Sequence, residues 1–340
     1  MDFTDFKIGQ DDEGRRLDKV LRILIPDAGL AQIYKSLRKG LIKLNQKKAD
    51  LSVKLQNNDI INIADFLLKQ EDEPSPVSLS QATVSLSGLT RQSSLPESSI
   101  VFQNEHFLII NKPQGMKVQQ SNTDSPALNE LVNQYYTGCK KNNSLSFKPG
   151  PLHRLDRMTS GIVCFSMSTK GAQWFSEQMK EHNIKKTYYA IIEGIIKEPQ
   201  EWIDYIAQEE SSDHRKNSFH TVKVYSQAQV EKGLAPDEAK ISITKVSPLK
   251  SGKYDNSNLT FADIQIETGR HHQIRAQSAF HKSPLWGDTA YGGTKTNSNQ
   301  GKFYLCAYKI QFPENELGLP QTIQIEPPLE FKKIIEKLED

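Results

Sequence analysis

The sequence predicts an α+β protein whose main sheet is largely antiparallel and whose N-terminal end forms a small separate domain. Over most of the chain, strand-like segments outnumber helical ones and do not alternate regularly with them. At the N-terminus, two short amphipathic helices precede short strands. A serine- and proline-rich stretch separates these regions, so a chain of 340 residues is predicted to hold two domains and a linker.

Residues 1–68 are predicted to form the first domain. Its apolar residues recur at spacings of three and four, as in two amphipathic helices: Leu17, Val20, Leu21 and Leu24, then Leu30, Ile33, Tyr34 and Leu37. Pro26 ends the first helix, and Gly40 lies where the second favours a left-handed C-terminal residue. Alternating residues at 42–45 and 60–63 predict short strands, with a turn at 57–59.

The charge of this domain is asymmetric. The whole chain carries a net charge of +2, yet residues 14–48 contain ten Lys or Arg and only two Asp. A basic segment on a mildly acidic body predicts a contact with a polyanion at one end of the molecule.

Residues 69–99 are predicted to be a flexible linker, because they are rich in serine and proline and lack a helical period. Residues 100–330 are predicted to form the second domain. Its pattern indicates a helix near 172–180 and strands at 107–111, 161–165, 187–194, 241–246, 258–267 and 303–312.

Composition excludes several classes of protein. No apolar run approaches the ~18 residues of a membrane span, and the N-terminus lacks the basic and apolar parts of a secretory signal. The three cysteines, Cys139, Cys164 and Cys306, are scattered and form no CxxC pair. A disulfide framework and a zinc ribbon are therefore not expected, and the sequence is typical of a reduced, cytoplasmic protein.

The stretch 152–162 places a single carboxylate among cations. Asp156 lies between Arg154 and Arg157, and His153 precedes it by three residues. An opposite charge within about 4–6 Å lowers the pKa of an Asp by about 1–3 units, so Asp156 is expected to be ionised. Such a carboxylate suits a nucleophile near phosphates better than a proton donor. A surface salt bridge at a turn is the alternative interpretation of these residues alone.

Three further segments accompany this stretch. Residues 111–116 end a strand with a sharp turn, and Tyr188 and Tyr189 face opposite sides of a strand, so only one can line a given cleft. Residues 267–275 contain His271 and His272 and are followed by the segment 287–292. Because adjacent histidines on a helix or strand point apart, and no third ligand is spaced to join them, a metal site is not expected.

Together, and in this order, these four segments resemble the RluA-type pseudouridine synthases, which isomerise uridine to pseudouridine in structured RNA. The most specific segments are HRLDR at 153–157 and GRHHQIR at 269–275, and the resemblance runs from about residue 100 to residue 312. Residues 16–21, 33–40 and 57–61 resemble the S-four RNA-binding domain, an αL motif known from a small-subunit ribosomal protein.

The resemblance implies an active site. Asp156 matches the catalytic aspartate, which acts at C1′ of the uridine or on the uracil ring. Arg275 matches the residue that pairs with this aspartate, and Tyr188 matches a tyrosine that stacks on uracil and is placed for proton transfer. Arg154 matches the residue that enters the space left when the target base is flipped out of the RNA.

The resemblance also implies RNA contacts. Further residues expected to shape the pocket or meet phosphate are His153 and Lys112, together with the N-terminal cations Arg16, Lys19, Lys35, Arg38 and Lys39. The isomerisation has no redox step and transfers no external group, so neither a cofactor nor a metal is expected.

The chain departs from the family pattern at two places. Gln119 replaces a frequent His, and Ala276-Gln277 replaces a frequent Val-His after the arginine. Because of these two changes, the resemblance does not predict the detailed shape of the pocket. The segments 209–217 and 250–258 are polar and are predicted to be loop insertions that select RNA.

The implied function is that of an isomerase acting on RNA as a monomer. The segment IYKSLRKG at 33–40 favours the ribosomal large-subunit members, hence 23S rRNA as substrate, with tRNA as the alternative. A catalytically silent RNA-binding assembly factor is a further alternative, against which the intact Asp156, Tyr188 and Arg275 count. A glycoside hydrolase is disfavoured because it requires two facing carboxylates, whereas Asp156 is surrounded by cations.

Overall fold

The computed structural model describes residues 1–68, 95–119, 126–139, 144–208, 221–296 and 302–339. The chain divides into two compact units. Unit 1 comprises residues 1–95, 130–150 and 167–170, and unit 2 comprises residues 96–129, 151–166 and 171–340. Of the predicted linker, residues 69–94 lie outside the described residues.

The N-terminal part of unit 1 combines two helices with a small sheet. Its elements are strands β1 (Phe3–Lys7), β2 (Ile42–Leu44) and β3 (Ile60–Ala64) and helices α1 (Leu17–Leu24) and α2 (Leu30–Arg38). The strands pair antiparallel in the order β1-β3-β2. The spacing of apolar residues predicted α1 and α2 correctly. Both helices bury their apolar faces in a core that also contains Ile42, Ile61 and Ile63 of the strands. Gly40 adopts the expected positive φ, 71°.

The remaining elements follow in chain order. The strands are β4 (Ile100–Gln103), β5 (Phe107–Lys112), β6 (Gly150–Pro151), β7 (Ser160–Ser166), β8 (Lys185–Glu193), β9 (Gln200–Gln208), β10 (Val222–Tyr225), β11 (Lys240–Tyr254), β12 (Ser257–Ile266), β13 (Leu305–Gln311) and β14 (Thr322–Gln324). The helices are α3 (Leu128–Cys139), α4 (Thr169–Lys180), α5 (Gln227–Glu231), α6 (Gln273–Phe280) and α7 (Leu329–Glu336). None of the described helices is long and apolar enough to span a membrane.

The large sheet confirms an α+β fold with mostly antiparallel pairing. Its main path runs β10-β9-β11-β12-β8-β13-β7-β5-β4, with β14 beside β13 and β6 beside β7. Along that path, neighbours are antiparallel except β7 and β13, which run parallel. Gly161 permits this parallel contact, because a Cβ on it would lie 2.2 Å from the Ala307 carbonyl oxygen.

Strand β8 divides its side chains between two cores. Tyr188, Ala190 and Ile192 pack on one face with Ile274 of α6. Tyr189 packs on the opposite face, in the core that contains helix α7. Tyr188 is therefore the tyrosine that shares a face with α6.

One loop prediction is wrong. Residues 250–258 belong to a hairpin in which β11 and β12 pair from Thr244–Ile266 to Tyr254–Ser257. Asp255 and Asn256 adopt φ of 49° and 60°, as a tight two-residue turn requires, so polar residues here mark a turn and not an insertion. The other predicted loop, 209–217, lies outside the described residues.

Candidate active site

Asp156 lies in an irregular segment between β6 and β7 that hydrophobic neighbours hold in place. Leu155 and Met158 pack against the core that contains Tyr188 and Ile274. The Thr159 N–H donates to the Asp156 carbonyl oxygen across 3.1 Å. The neighbours of Asp156 are thus anchored, while its own side chain remains 24% exposed.

Arg275 links two carboxylates from the first turn of α6. Its Nη1 lies 3.3 Å from Asp156 Oδ2, while its Nε and Nη2 donate to the two oxygens of Asp288 across 2.7 and 2.9 Å. The guanidinium also lies over the rings of Phe303 and Tyr291, at 4.5 and 4.9 Å. Burial alone would lower the pKa of Arg275, but the hydrogen bonds and charge of Asp288, with Asp156, raise it. The arginine is therefore a fixed cation beside Asp156.

Asp288 is a site residue that sequence reasoning missed. Its side chain is 2% exposed, and both of its oxygens accept from Arg275. The preceding Gly287 has φ of 89°, and a Cβ there would lie 2.2 Å from the Lys302 carbonyl oxygen. The sequence marked the segment 287–292 but gave Asp288 no role, because the burial of Arg275, which calls for a buried counter-charge, is visible only in the structure.

Tyr188 lies on the face of the sheet that packs against α6, the helix that carries Arg275, and it is 6% exposed. Burial, reinforced by the negative charge of Asp156, raises the pKa of Tyr188 well above its usual value. The phenol therefore keeps its proton at neutral pH, which suits stacking and hydrogen-bond donation.

Lys112 does not occupy the position expected of a phosphate ligand. The residue is fully buried, and its Nζ donates to the carbonyl oxygens of Pro113, Met116 and Arg157 across 3.1, 2.9 and 3.2 Å. Burial lowers the pKa of Lys112 to about 7, opposed by the charge of Asp156. A lysine that ends a buried strand can satisfy all three N–H groups with backbone, so Lys112 ties the 113–116 turn to the Asp156 segment.

Gln114 strengthens this connection. Its amide donates to the Met158 and Phe303 carbonyl oxygens across 2.8 and 2.7 Å. The turn at 113–116 is thus a support for the Asp156 segment.

His153, predicted to shape the pocket or to meet phosphate, is placed inside the protein and not at a phosphate. Its Nε2 accepts the Cys164 N–H across 3.2 Å, and its ring stacks on Phe175 at 6.1 Å. Its Nδ1 is buried and has no hydrogen-bond partner among the described residues. Burial lowers the pKa of His153 to about 3, so the ring is a neutral packing element.

The two adjacent histidines do not point apart as expected. Their rings stack with centroids 3.9 Å apart, because His272 adopts a left-handed conformation (φ 53°, ψ 22°) immediately before α6. Such a conformation costs of order 1–3 kcal/mol for a residue other than glycine. Contrary to the spacing argument, a third ligand atom is present: atoms of Asp156, His271 and His272 lie within 4.8 Å of one another.

This trio can present three ligand atoms to a metal ion, but its surroundings fit one poorly. Arg275 already approaches Asp156 at 3.3 Å, and its charge opposes that of a divalent cation at the same oxygen. His272 is also committed elsewhere, since its Nδ1 lies 2.9 Å from the Tyr291 hydroxyl.

The remaining predicted RNA contacts are exposed cations. In unit 2, Arg154 is exposed two residues before Asp156. In unit 1, the exposed side chains are those of Arg16, Lys19, Lys35, Arg38 and Lys39. Arg16 also pairs with Asp18 at 3.0 Å.

The residues that depart from the family pattern have different surroundings. Gln277 is fully buried on the side of α6 opposite Arg275, where its amide donates to Asp204 at 2.8 Å and accepts from Thr244 at 2.7 Å. Gln277 therefore braces α6 against the sheet. Gln119 is exposed.

The arrangement combines a partly exposed carboxylate, a fixed guanidinium and a protonated phenol. The carboxylate can attack an electrophilic carbon, the guanidinium places a positive charge beside it, and the phenol offers a flat surface nearby. A second carboxylate, Asp288, is occupied by Arg275 and is buried, so it cannot act as a general acid towards an external substrate.

Comparisons with known proteins agree with this geometry. A family model described as RNA pseudouridylate synthase matches residues 106–280. The chain is 27% identical to a ribosomal large subunit pseudouridine synthase C of Pasteurella multocida, over 98% of this chain and 93% of that protein. It is 32% identical to a tRNA pseudouridine synthase C of Vibrio parahaemolyticus, over 59% of this chain and 76% of that protein.

Among solved structures, the human RNA pseudouridylate synthase domain containing 4 is similar in fold. It has a TM-score of 0.54 and 17% identity, over 72% of this chain and 94% of that chain.

Proposed function

Because this chain belongs to the RNA pseudouridylate synthase family, we propose that it converts specific uridines of large-subunit ribosomal RNA into pseudouridine. It is an RNA pseudouridine synthase, an isomerase; the substrate RNA and the role of each residue are our proposal. The observation that carries the proposed roles is the contact between Asp156 and Arg275. The positive charge of Arg275 is in turn balanced by the buried carboxylate of Asp288.

In the proposed reaction, Asp156 attacks C1′ of the flipped uridine and the N1–C1′ bond breaks. The released uracil turns so that C5 faces C1′. A C5–C1′ bond then forms while the bond between Asp156 and C1′ breaks, which regenerates the carboxylate. The C5 proton is then lost and N1 gains a proton, so the product is an isomer of the substrate and no redox partner is needed. Tyr188 supports the turning base with its ring, and Arg275 stabilises the charge of Asp156 throughout.

The RNA is held through its phosphates in this proposal. Residues 1–68 act as an S-four-type RNA-binding domain, and residues 100–330 act as the catalytic domain. Exposed cations on α1 and α2 contact the phosphates, and Arg154 fills the space left by the flipped uridine. Lys112 and His153 take no direct part, because the nitrogens of both side chains are engaged or buried inside the protein. The enzyme is expected to act as a monomer in the cytoplasm, without a metal.

The preference for ribosomal RNA rests on how much of this chain aligns with each kind of relative. The alignment with the P. multocida ribosomal enzyme spans 98% of this chain and therefore includes most of the N-terminal region. The alignment with the V. parahaemolyticus tRNA enzyme spans only 59%. A tRNA substrate remains the second candidate, because that shorter match has the higher identity.

Tritium release distinguishes the two substrates. Unmodified transcripts of 23S rRNA and a tRNA mixture, both labelled at uridine C5, are incubated with equal enzyme. We expect release from the 23S transcript, with tRNA at the background of an Asp156→Asn control. Release from tRNA alone would replace our substrate with tRNA, and release from neither would favour a silent assembly factor.

A further inference from the structure

His272 occupies a position between Asp156 and Tyr291 that the proposed mechanism has not yet used. Its Nε2 lies 3.6 Å from Asp156 Oδ2, and its Nδ1 lies 2.9 Å from the Tyr291 hydroxyl. The 3.6 Å separation is longer than a hydrogen bond, but catalytic contacts are often long before substrate binds and then shorten. The left-handed conformation of His272 turns its ring towards both neighbours.

The hydrogen bonds around Tyr291 select one tautomer of His272. The Val222 N–H donates to the Tyr291 hydroxyl oxygen across 3.0 Å, and among the described residues His272 Nδ1 is the one acceptor within hydrogen-bond distance of the hydroxyl hydrogen. The hydroxyl satisfies this hydrogen by donating it to Nδ1. A neutral imidazole that accepts at Nδ1 carries its hydrogen at Nε2. That hydrogen then faces the Asp156 carboxylate. Burial lowers the pKa of His272 to about 4, which favours the neutral ring.

Arg275 and His272 approach the same oxygen of Asp156. Arg275 Nη1 lies 3.3 Å and His272 Nε2 lies 3.6 Å from Oδ2. Within the described part of the chain, no side chain or backbone group hydrogen-bonds to Oδ1. The two oxygens of the carboxylate are therefore in different environments.

We propose that His272 is a positioning residue that, with its Nε2 hydrogen and together with Arg275, holds Asp156 Oδ2 so that Oδ1 is the oxygen presented to the substrate. Tyr291 acts one step further away by fixing the tautomer of His272. The inference depends on the proposed function, because it assigns the attacking oxygen within the same site. Positioning of this kind changes the rate of the chemical step more than the binding of RNA.

Four variants test the positioning role by single-turnover tritium release and RNA binding. His272→Phe keeps an aromatic ring but has no donor, and we expect its rate to fall at least tenfold with the RNA Kd within twofold of wild type. His272→Gln restores an N–H donor and should recover part of the rate. Tyr291→Phe keeps the ring beside Arg275 and removes only the hydroxyl, so it should lower the rate at unchanged Kd.

His271→Gln is the matched control, since His271 is the neighbouring imidazole of the same segment and is exposed, whereas His272 is half-buried. We expect it to retain the wild-type rate. An equal loss in His271→Gln and His272→Phe would overturn the positioning role in favour of a shared metal ion. A wild-type rate in His272→Phe, or a loss confined to the RNA Kd, would overturn it as well.

The tautomer is measured independently of activity. In protein labelled with ¹⁵N-histidine, two-bond proton–nitrogen correlations of His272, assigned by its absence in His272→Gln, should show hydrogen on Nε2 and none on Nδ1. Hydrogen on Nδ1 would refute the inference even if the enzyme is active. Absence of tritium release from wild type would instead refute the proposed function, so the two failures are distinguishable.

Discussion

Replacing Asp288 by Asn is expected to destabilise unit 2, because it removes the buried counter-charge of Arg275. Asp288 is 2% exposed and Arg275 is 9% exposed, and two hydrogen bonds of 2.7 and 2.9 Å join them. The Asn amide offers one acceptor in place of two and turns N–H groups towards the guanidinium. Breaking a buried ion pair in this way costs about 3–5 kcal/mol.

Part of that cost is offset at the site. Arg275 keeps its 3.3 Å contact with Asp156 and its position over two aromatic rings. We therefore expect a loss towards the lower end, about 3 kcal/mol. A domain of 150–250 residues loses roughly 2–4 °C in Tm per kcal/mol, so the midpoint should fall by roughly 6–12 °C.

Tryptophan fluorescence reports this loss specifically. All three tryptophans, Trp174, Trp202 and Trp286, belong to unit 2, so denaturant titration followed at their emission monitors that unit. The matched control is Glu267→Gln, which breaks the exposed pair of Glu267 with Lys245 and should leave the midpoint unchanged. A loss below about 1 kcal/mol in Asp288→Asn would refute the reasoning, since it would mean that Arg275 does not need its buried partner.

Three other predictions follow from the same contacts. Lys112→Met should lower both stability and turnover in parallel denaturation and tritium assays, because three carbonyl groups lose their donor; wild-type values would refute its supporting role. Burial lowers the pKa of His153 from 6.5 to about 3, so the unfolded chain binds more protons than the folded one between these values. The unfolding free energy should therefore fall as pH decreases from 6.5 towards 3, and His153→Gln should decline less steeply in denaturation at each pH; equal slopes would contradict this. Lys39→Gln should reduce the slope of log Kd against log salt by about 0.7–0.9, and an unchanged slope would exclude a phosphate contact at Lys39.

Apolar spacing predicted helices α1 and α2, because one face of each packs in the core of unit 1. Strands β5 and β7 were predicted from continuous apolar runs, since nearly all of their residues are buried. The first part of β11 and most of β12 were also predicted as strands, but the end of their hairpin at 250–258 was predicted to be a loop because its residues are polar, although Asp255 and Asn256 are suited to the positive φ of its turn.

The site was predicted only in part, for reasons that lie in its chemistry. Asp156 and Arg275 are 119 residues apart, and no spacing rule gives the distance between them; the family resemblance supplied that pairing. Of the two roles predicted for Lys112, phosphate contact was wrong and support of the pocket remained, because a lysine is almost always on the surface unless its donors are satisfied inside. The role of His272 depends on a left-handed backbone conformation, which the sequence does not reveal for a residue other than glycine.

The central claim is that Asp156, held by Arg275, attacks the uridine. Single-turnover tritium release with Asp156→Asn, at enzyme concentrations that saturate the wild-type rRNA substrate, tests it most directly. Asparagine has nearly the same shape but no charge, so we predict no release above background while the RNA Kd stays within threefold of wild type. Release at the wild-type rate would contradict the claim, because the carboxylate would then be dispensable for the isomerisation.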